Sequence, residues 1–235
     1  MIAHLNIGYA VTLLSQFSQA PHQEHYIALK NVCKYLRATK SWGLIYWRKE
    51  PLGSFPAIPL DMPLPDDSLP PFPHSDPYQL AGFVDAAHAT DLKTRRSITG
   101  LVFTLAGGAI AFKSKIQPVV ATSSTEAEFI AAVHAGKVAK YLRSVLSDLG
   151  YQQNGPTPIY EDNQAAIAMI NHDKPTPRSR HIDIQWFAIN EWRRLGQLEL
   201  HYIATSINPA DAATKALSWT LHSRHVRRSM GHYGL

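Results

Sequence analysis

Four acidic residues stand where chain elements are expected to end or begin: Asp85, Glu128, Asp162 and Asp211. Asp85 closes the apolar run Leu80-Ala81-Gly82-Phe83-Val84, where a carboxylate has no partner within the strand. Burial there is costly unless a positive charge meets it, and a metal ion is the usual answer. Asp162 follows a second short strand and directly precedes a helix. Asp211 lies near the start of the last expected helix, and taken alone it is explained by the favourable placement of an acid in a first helical turn. Two glutamates open the longest helix. Ser123-x-x-Glu126 matches a capping box, which accounts for Glu126. Glu128 continues the apolar stripe Ala131, Ala135, Val138, Leu142, Val145 and so faces the sheet, although Thr125-x-x-Glu128 also fits a capping box. A set made only of carboxylates suits Mg²⁺ or Mn²⁺ and not zinc. If the four converge, their mutual repulsion makes sense only around divalent cations. Two such ions about 3.5–4 Å apart can activate a water and stabilise the leaving oxygen of a phosphodiester.

Whether they converge depends on the elements that carry them. Residues 80–85, 98–105 and 109–115 read as three strands in an antiparallel meander, with Gly107-Gly108 at the second turn. A long helix is expected over 125–149, closed by Gly150, then a short strand over 158–161 and a helix over 163–171. Residues 174–179 form a proline-bearing loop, 181–195 a helix, 198–203 a strand and 210–217 a helix. That order argues an α/β mixed sheet with helices on its faces. If the first and fourth strands are parallel neighbours, Asp85 and Asp162 finish at one edge of the sheet.

Upstream, helical stripes over 7–17 and 22–37 and a short strand over 43–47 make a thin core that must lean on something larger. Tyr26, Leu29, Val32, Cys33, Tyr35 and Leu36 are the expected inward face of the second helix, with Cys33 a buried structural thiol. Nine prolines between Pro51 and Pro77 mark an extended, semi-rigid linker. The expected boundaries are therefore a helical piece over 1–50, a linker over 51–78, a catalytic-type domain over 79–217 and a basic tail over 218–235.

With 235 residues, 45% of them hydrophobic and 17% charged, the chain can bury a sizeable core, so disorder is not the default. A net charge of +5 and a pI near 9.3 favour an anionic partner. A single cysteine excludes an internal disulfide and a Cys-based zinc site. No apolar run reaches membrane-span length, and Met1-Ile2-Ala3-His4 lacks the start of a signal peptide, so an intracellular protein without a membrane partner is expected.

The stretches GFVDAAHATDLKTRRSITGLVFTLAGGAIAFKSK, SSTEAEFIAA, IYEDNQAAI, RHIDI and HYIATSINPADAATKAL resemble, in order, the ribonuclease H domain at the C-terminal end of copia-type LTR retrotransposon polyproteins. IGYAVTLLSQF and HYIALKNVCKYLRATKSWGLIYW resemble the region joining the reverse transcriptase to it. The resemblance implies a ribonuclease H-like fold: a five-stranded mixed sheet with its first three strands antiparallel, flanked by helices. It implies two-metal hydrolysis of the RNA strand of an RNA–DNA hybrid during reverse transcription, with Mg²⁺ or Mn²⁺, no small-molecule cofactor, and the polymerase part of the polyprotein as a partner. The family's four acids fall on Asp85, Glu128, Asp162 and Asp211. Ala87, His88 and Thr90 depart from the family's usual D-A-D-W-A-G after the first acid, and no histidine occupies the loop over 204–206 before the fourth. Polymerase activity is rejected: Phe83-Val84-Asp85-Ala86 resembles the polymerase's aromatic-x-Asp-Asp signature, but Ala86 lacks its second carboxylate, and the upstream chain is too short for fingers and palm.

For substrate, Lys93, Arg95 and Arg96 in the first hairpin turn are read as phosphate contacts, against the alternative of a solvated basic turn. Asn163 and Gln164 are read as contacts to the sugar hydroxyls that distinguish RNA from DNA, with helix capping the alternative for Asn163. Lys113 and Lys115 are balanced between phosphate contact and solvation. His181 and His201 are read as structural, and Arg224, Arg227 and Arg228 as touching nucleic acid or coating a terminal helix. The competing class is a non-catalytic nucleic-acid-binding or scaffolding remnant of a truncated polyprotein. An integrase-like DNA nuclease is disfavoured by the Asp, Glu, Asp, Asp order.

Overall fold

The computed structural model describes residues 5–46, 78–91, 93–172 and 183–231. The proline-rich linker, the loop over 174–179 and the residues Arg178, Arg180 and His181 lie outside them.

Two helices, α1 (Gly8–Ser15) and α2 (Gln23–Ala38), precede the sheet. Then come β1 (Ala81–Ala87), β2 (Ile98–Leu105), β3 (Gly108–Ile116), α3 (Ser124–Asp148), β4 (Thr157–Glu161), α4 (Gln164–Asn171), α5 (Asp183–Arg194), β5 (Leu198–Tyr202) and α6 (Trp219–Ser229). The strands form one sheet in the order β3-β2-β1-β4-β5. β1, β2 and β3 are antiparallel, while β1–β4 and β4–β5 are parallel. This is the ribonuclease H-like arrangement expected from the sequence.

Sequence explains the placement. β1 is apolar on both faces and central, as a strand covered on both sides must be. Ala106 and Gly107 turn the β2–β3 hairpin at φ 51° and 80°, one residue earlier than expected. Ser123 caps α3 by accepting from the Glu126 amide at 3.1 Å, and the Glu126 carboxylate accepts from the Thr122 amide at 2.8 Å and its hydroxyl at 2.5 Å. Glu126 is thus occupied by the helix start, which leaves Glu128 free for other work.

The two faces of the sheet carry separate cores. One packs Val84, Leu101, Phe103 and Ile159 against α3 and α5. The other joins Phe83, Val102, Ala109 and Tyr160 with Leu5 upstream and Val226 and Met230 downstream. The N-terminal piece is therefore attached: Thr12 Oγ1 donates to the Ser114 carbonyl at 2.8 Å, and α1 approaches Phe112 so closely at Gly8 that a Cβ would stand 2.7 Å from its ring.

Several expectations are corrected. Of the strand expected over 43–47, residues 43–46 are not a strand and Trp47 lies outside the described residues; the Ile45 amide instead donates to the Met230 carbonyl at 2.8 Å. No residue of α2 is buried, Tyr26 and Leu29 are exposed, and Cys33 is an exposed thiol. Periodicity identifies residues that share a face; whether anything covers that face is a tertiary matter. The helix expected over 210–217 is a five-residue 3-10 turn, Pro209–Ala213, started by Asn208, whose side chain accepts from the Ala210 amide. The basic segment after Ser218 folds as α6, with Arg228 only 4% exposed.

Candidate active site

Strand alternation sends the acids to the two faces of one sheet edge. In β1, Asp85 shares a face with Phe83, toward the 3-10 turn; in β4, Glu161 shares the opposite face with Ile159, toward α3. The β1–β4 register, Gly82 with Ile159 and Phe83 with Tyr160, carries on to put Asp85 level with Asp162. Glu128 enters from the first turns of α3 across that edge. Asp85, Glu128 and Asp162 each offer an oxygen within 4.8 Å of the others. Asp85 and Glu128 are 2% and 6% exposed.

Asp211 joins through a lysine. Lys215 Nζ lies 3.2 Å from Asp211 Oδ1 and 3.5 Å from Asp85 Oδ2. The Thr214 hydroxyl donates to Asp85 Oδ2, and the Asn208 amide group donates to the Val84 carbonyl at 2.9 Å, fastening the 3-10 turn to the end of β1. Thr205 Oγ1 donates to Asp162 Oδ2 at 2.6 Å. Of the four expected acids, three meet directly, and Asp211 stands beside Asp85 with an ammonium between them.

Two members of the site escaped the sequence reading. Glu161 is fully buried, and its Oε1 accepts from the Asn163 amide at 3.1 Å. Its signal was the strand alternation that sets it two residues after the inward Ile159. Lys215 follows Asp211 by four residues, the spacing at which helical charges meet.

Crowding governs the protonation. Burial first, then Glu161, Asp85 and Asp162, push the Glu128 carboxyl up to about 11. Asp211 is pushed up to about 7, by burial and then by Asp85, against the pull of Lys215. Burial also raises Asp85 and Glu161. Cations placed among such a set would relieve the repulsion that raises these values. Glu128 Oε2 is buried with no hydrogen-bond partner, an orphaned acceptor aimed into a cluster of hard oxygens. The residues fit one or more Mg²⁺ or Mn²⁺ ions.

The basic turn sits past the end of β1, on the same edge. Lys93, Arg95 and Arg96 are exposed. Asp91 shapes that turn: its Oδ1 accepts from the Lys93 amide at 2.9 Å and the Thr94 amide at 3.2 Å, and Arg95 adopts φ 57°. Asn163 caps α4, its Oδ1 accepting from the Ala166 amide at 3.0 Å, so that oxygen is committed to the helix; Gln164 is exposed. His201 is half-exposed and paired with Glu199 at 3.0 Å, away from the acids.

Gly100 sets the spacing of the two faces. It pairs with Asp85, and a Cβ there would lie 2.5 Å from Thr214 Cγ2 and 2.8 Å from the Ala210 carbonyl. Gly100→Ala is expected to push the 3-10 turn outward, costing about 1–3 kcal/mol from overpacking. Catalytic loss should exceed what the drop in Tm explains. Activity unchanged in a folded variant would show that the placement of Asp211 tolerates the shift.

No family model matches the chain. It is similar to the retrovirus-related Pol polyprotein from transposon TNT 1-94 of Nicotiana tabacum, 34% identical over 212 residues, which are 90% of this chain and 14% of that protein. It is also similar to the secreted RxLR effector protein 161 of Plasmopara viticola, 32% identical over 142 residues, 60% of this chain and 82% of that protein. Among solved structures, LC11-RNase H1, isolated from compost, superposes with a TM-score of 0.45 at 15% identity, over 58% of this chain and 93% of that one.

Proposed function

We infer that the chain, which spans 13–14% of the length of the retrovirus-related Pol polyproteins it matches, is the ribonuclease H part of such a polyprotein, a metal-dependent endonuclease that cuts the RNA strand of RNA–DNA hybrids. The observation that carries this reading is the meeting of Asp85, Glu128 and Asp162 within 4.8 Å, with Asp211 beside Asp85.

Asp85, Glu128, Asp162 and Asp211 would hold the ions. When bound, a pair of divalent cations supplies an activated water and charge neutralisation at the leaving oxygen of a phosphodiester. The protein's own groups do the rest. Thr214 and Asn208 hold the end of β1 against the 3-10 turn, so the acids at the edge are placed before any ligand arrives. Thr205 orients the Asp162 carboxylate. Lys215 balances part of the charge of Asp85 and Asp211 in the free protein. Lys93, Arg95 and Arg96, beyond the same edge, bind backbone phosphates. Gln164 and the remaining donors of Asn163 face sugar hydroxyls, which RNA has and DNA lacks.

The full chain, given Mg²⁺ and an end-labelled hybrid, should release short RNA fragments with 3′-hydroxyl and 5′-phosphate ends and leave the DNA strand intact. Cleavage no greater than that of an Asp85→Asn control overturns the reading. One observation favours a second reading, a non-catalytic hybrid-binding remnant: Lys215 already balances part of the acid charge without any metal. That protein would bind hybrid in a salt-dependent way and cut nothing.

A further inference from the structure

A basic cluster lies apart from the acids, on the outer strand and the long helix. Lys113 of β3 reaches α3, where its Nζ lies 2.7 Å from His134 Nε2. Lys115, two residues on, projects to the same side of β3, and Lys137 stands one turn beyond His134 on α3. His134 is held down to about 4, by burial and then by Lys113, Lys137 and Lys115, so its ring is neutral at pH 7 and accepts from the ammonium. Burial and Lys115 also lower Lys113. Among the described residues no carboxylate pairs with any of these three lysines.

Edge strands commonly carry lysines to discourage pairing with other chains. That role needs only an ammonium in solvent. Lys113 instead is partly buried and pinned to a neutral ring, with two like charges alongside and no counter-charge. Such a group is preorganised for an anion from outside.

Its position relative to the acids follows from the register. Asp85 pairs with Gly100, and Gly100 with Ser114, so Lys113 and Lys115 flank the row that holds Asp85, two strands away. Two strand spacings are about 10 Å. Along one strand of a duplex, at about 3.4 Å per nucleotide, this corresponds to roughly three nucleotides. We propose that Lys113, Lys115, His134 and Lys137 form a phosphate subsite that grips the nucleic-acid backbone a few nucleotides from the bond at the acid cluster. The proposal rests on the hybrid-cleaving reading for the identity of the ligand, and on the cluster alone for its anionic chemistry.

The test uses the full chain and a labelled RNA–DNA hybrid in chelator, with affinity measured by anisotropy across a salt series. Lys115→Gln/Lys137→Gln changes two exposed side chains, and Lys34→Gln/Lys40→Gln, on and after α2, matches the charge change elsewhere. The first variant should bind more weakly than the second, with the slope of log affinity against log salt reduced by about 2. Equal affinity and slope in the two variants overturns the subsite. Wild-type cleavage in Mg²⁺ separates the two ideas. A wild type that binds with the predicted slopes but does not cut sinks the nuclease reading and keeps the subsite, while one that cuts with both variants alike sinks only the subsite. A wild type that does not bind hybrid overturns both.

Discussion

If the chain is the proposed nuclease, Asp85→Asn is expected to cleave hybrid at least about a thousandfold more slowly than the wild type, a loss of roughly 4 kcal/mol of transition-state stabilisation. The size of the effect comes from the position of this side chain. Asp85 lies within 4.8 Å of acids from α3 and β4 and is hydrogen-bonded to Thr214 and ion-paired with Lys215 on the other side. An amide removes half of the donor capacity at that junction and the charge that holds a cation. The same variant should be no less stable than the wild type in chelator, because a carboxylate crowded by like charges is replaced with a neutral group of equal size, and Lys215 retains Asp211. Thermal melts check the second half. A variant as stable as the wild type and equally fast removes the acid cluster from the chemistry.

Raising the pH from about 6.5 to 9 in chelator is expected to lower the Tm of the wild type, and Mg²⁺ to return the loss. The sign follows from groups whose folded values are raised. Glu128 stands at about 11 and Glu161 well above its usual range, whereas both ionise near 4 in the unfolded chain. The stability they lend is complete below about pH 4 and is lost as the pH rises toward the folded values, since the unfolded state then binds fewer protons. Asp211, at about 7, contributes its share of the fall up to that point. His134 and His225, lowered to about 4 and about 3, act in the opposite direction, but only below about pH 6.5. The decline above that pH is therefore unopposed by them. A divalent ion at a hundred times its Kd adds ~2.7 kcal/mol, on the order of 5–10 °C for a chain of this size. Glu128→Gln should flatten the pH slope and weaken the Mg²⁺ response. A wild-type Tm that rises with pH in chelator, or ignores Mg²⁺, contradicts the account.

Much of the site was legible because its members sit at element ends that sequence marks well. Asp85 follows an apolar run and Asp162 closes a short strand, and Glu128 could be separated from Glu126 because a capping box already explained the latter. The partners of those acids were harder to see. Glu161 reads as the last residue of a short strand until the sheet order shows that α3 covers its face. Lys215 carries an ordinary i,i+4 spacing, and only the docking of the 3-10 turn on β1 brings it to Asp85 as well. The last helix expected over 210–217 is a short turn instead: Asn208 caps its start, and it stops after five residues where Ala210, Ala213 and Thr214 pack closely against Gly100. The inward face assigned to α2 failed for another reason: amphipathic spacing is present, but the described chain covers it only in part, at Tyr35 against Trp219 and His222 of α6, and leaves Tyr26, Leu29 and Cys33 exposed.

Leu5, Val226 and Met230 complete the core on the sheet face away from α3. A clone trimmed to the motif-bearing stretch, 79–217, would keep Ile203, Ala210 and Ala212 on that face but lose Leu5, Val226 and Met230, thinning the cover over its apolar cluster and freeing the β3 carbonyl that Thr12 now occupies. Bare aromatic and aliphatic surface next to an open strand border is a recipe for precipitation in the expression host. Inclusion bodies from such a shortened gene would then report missing shielding segments, and would say nothing about whether the nuclease machinery is intact.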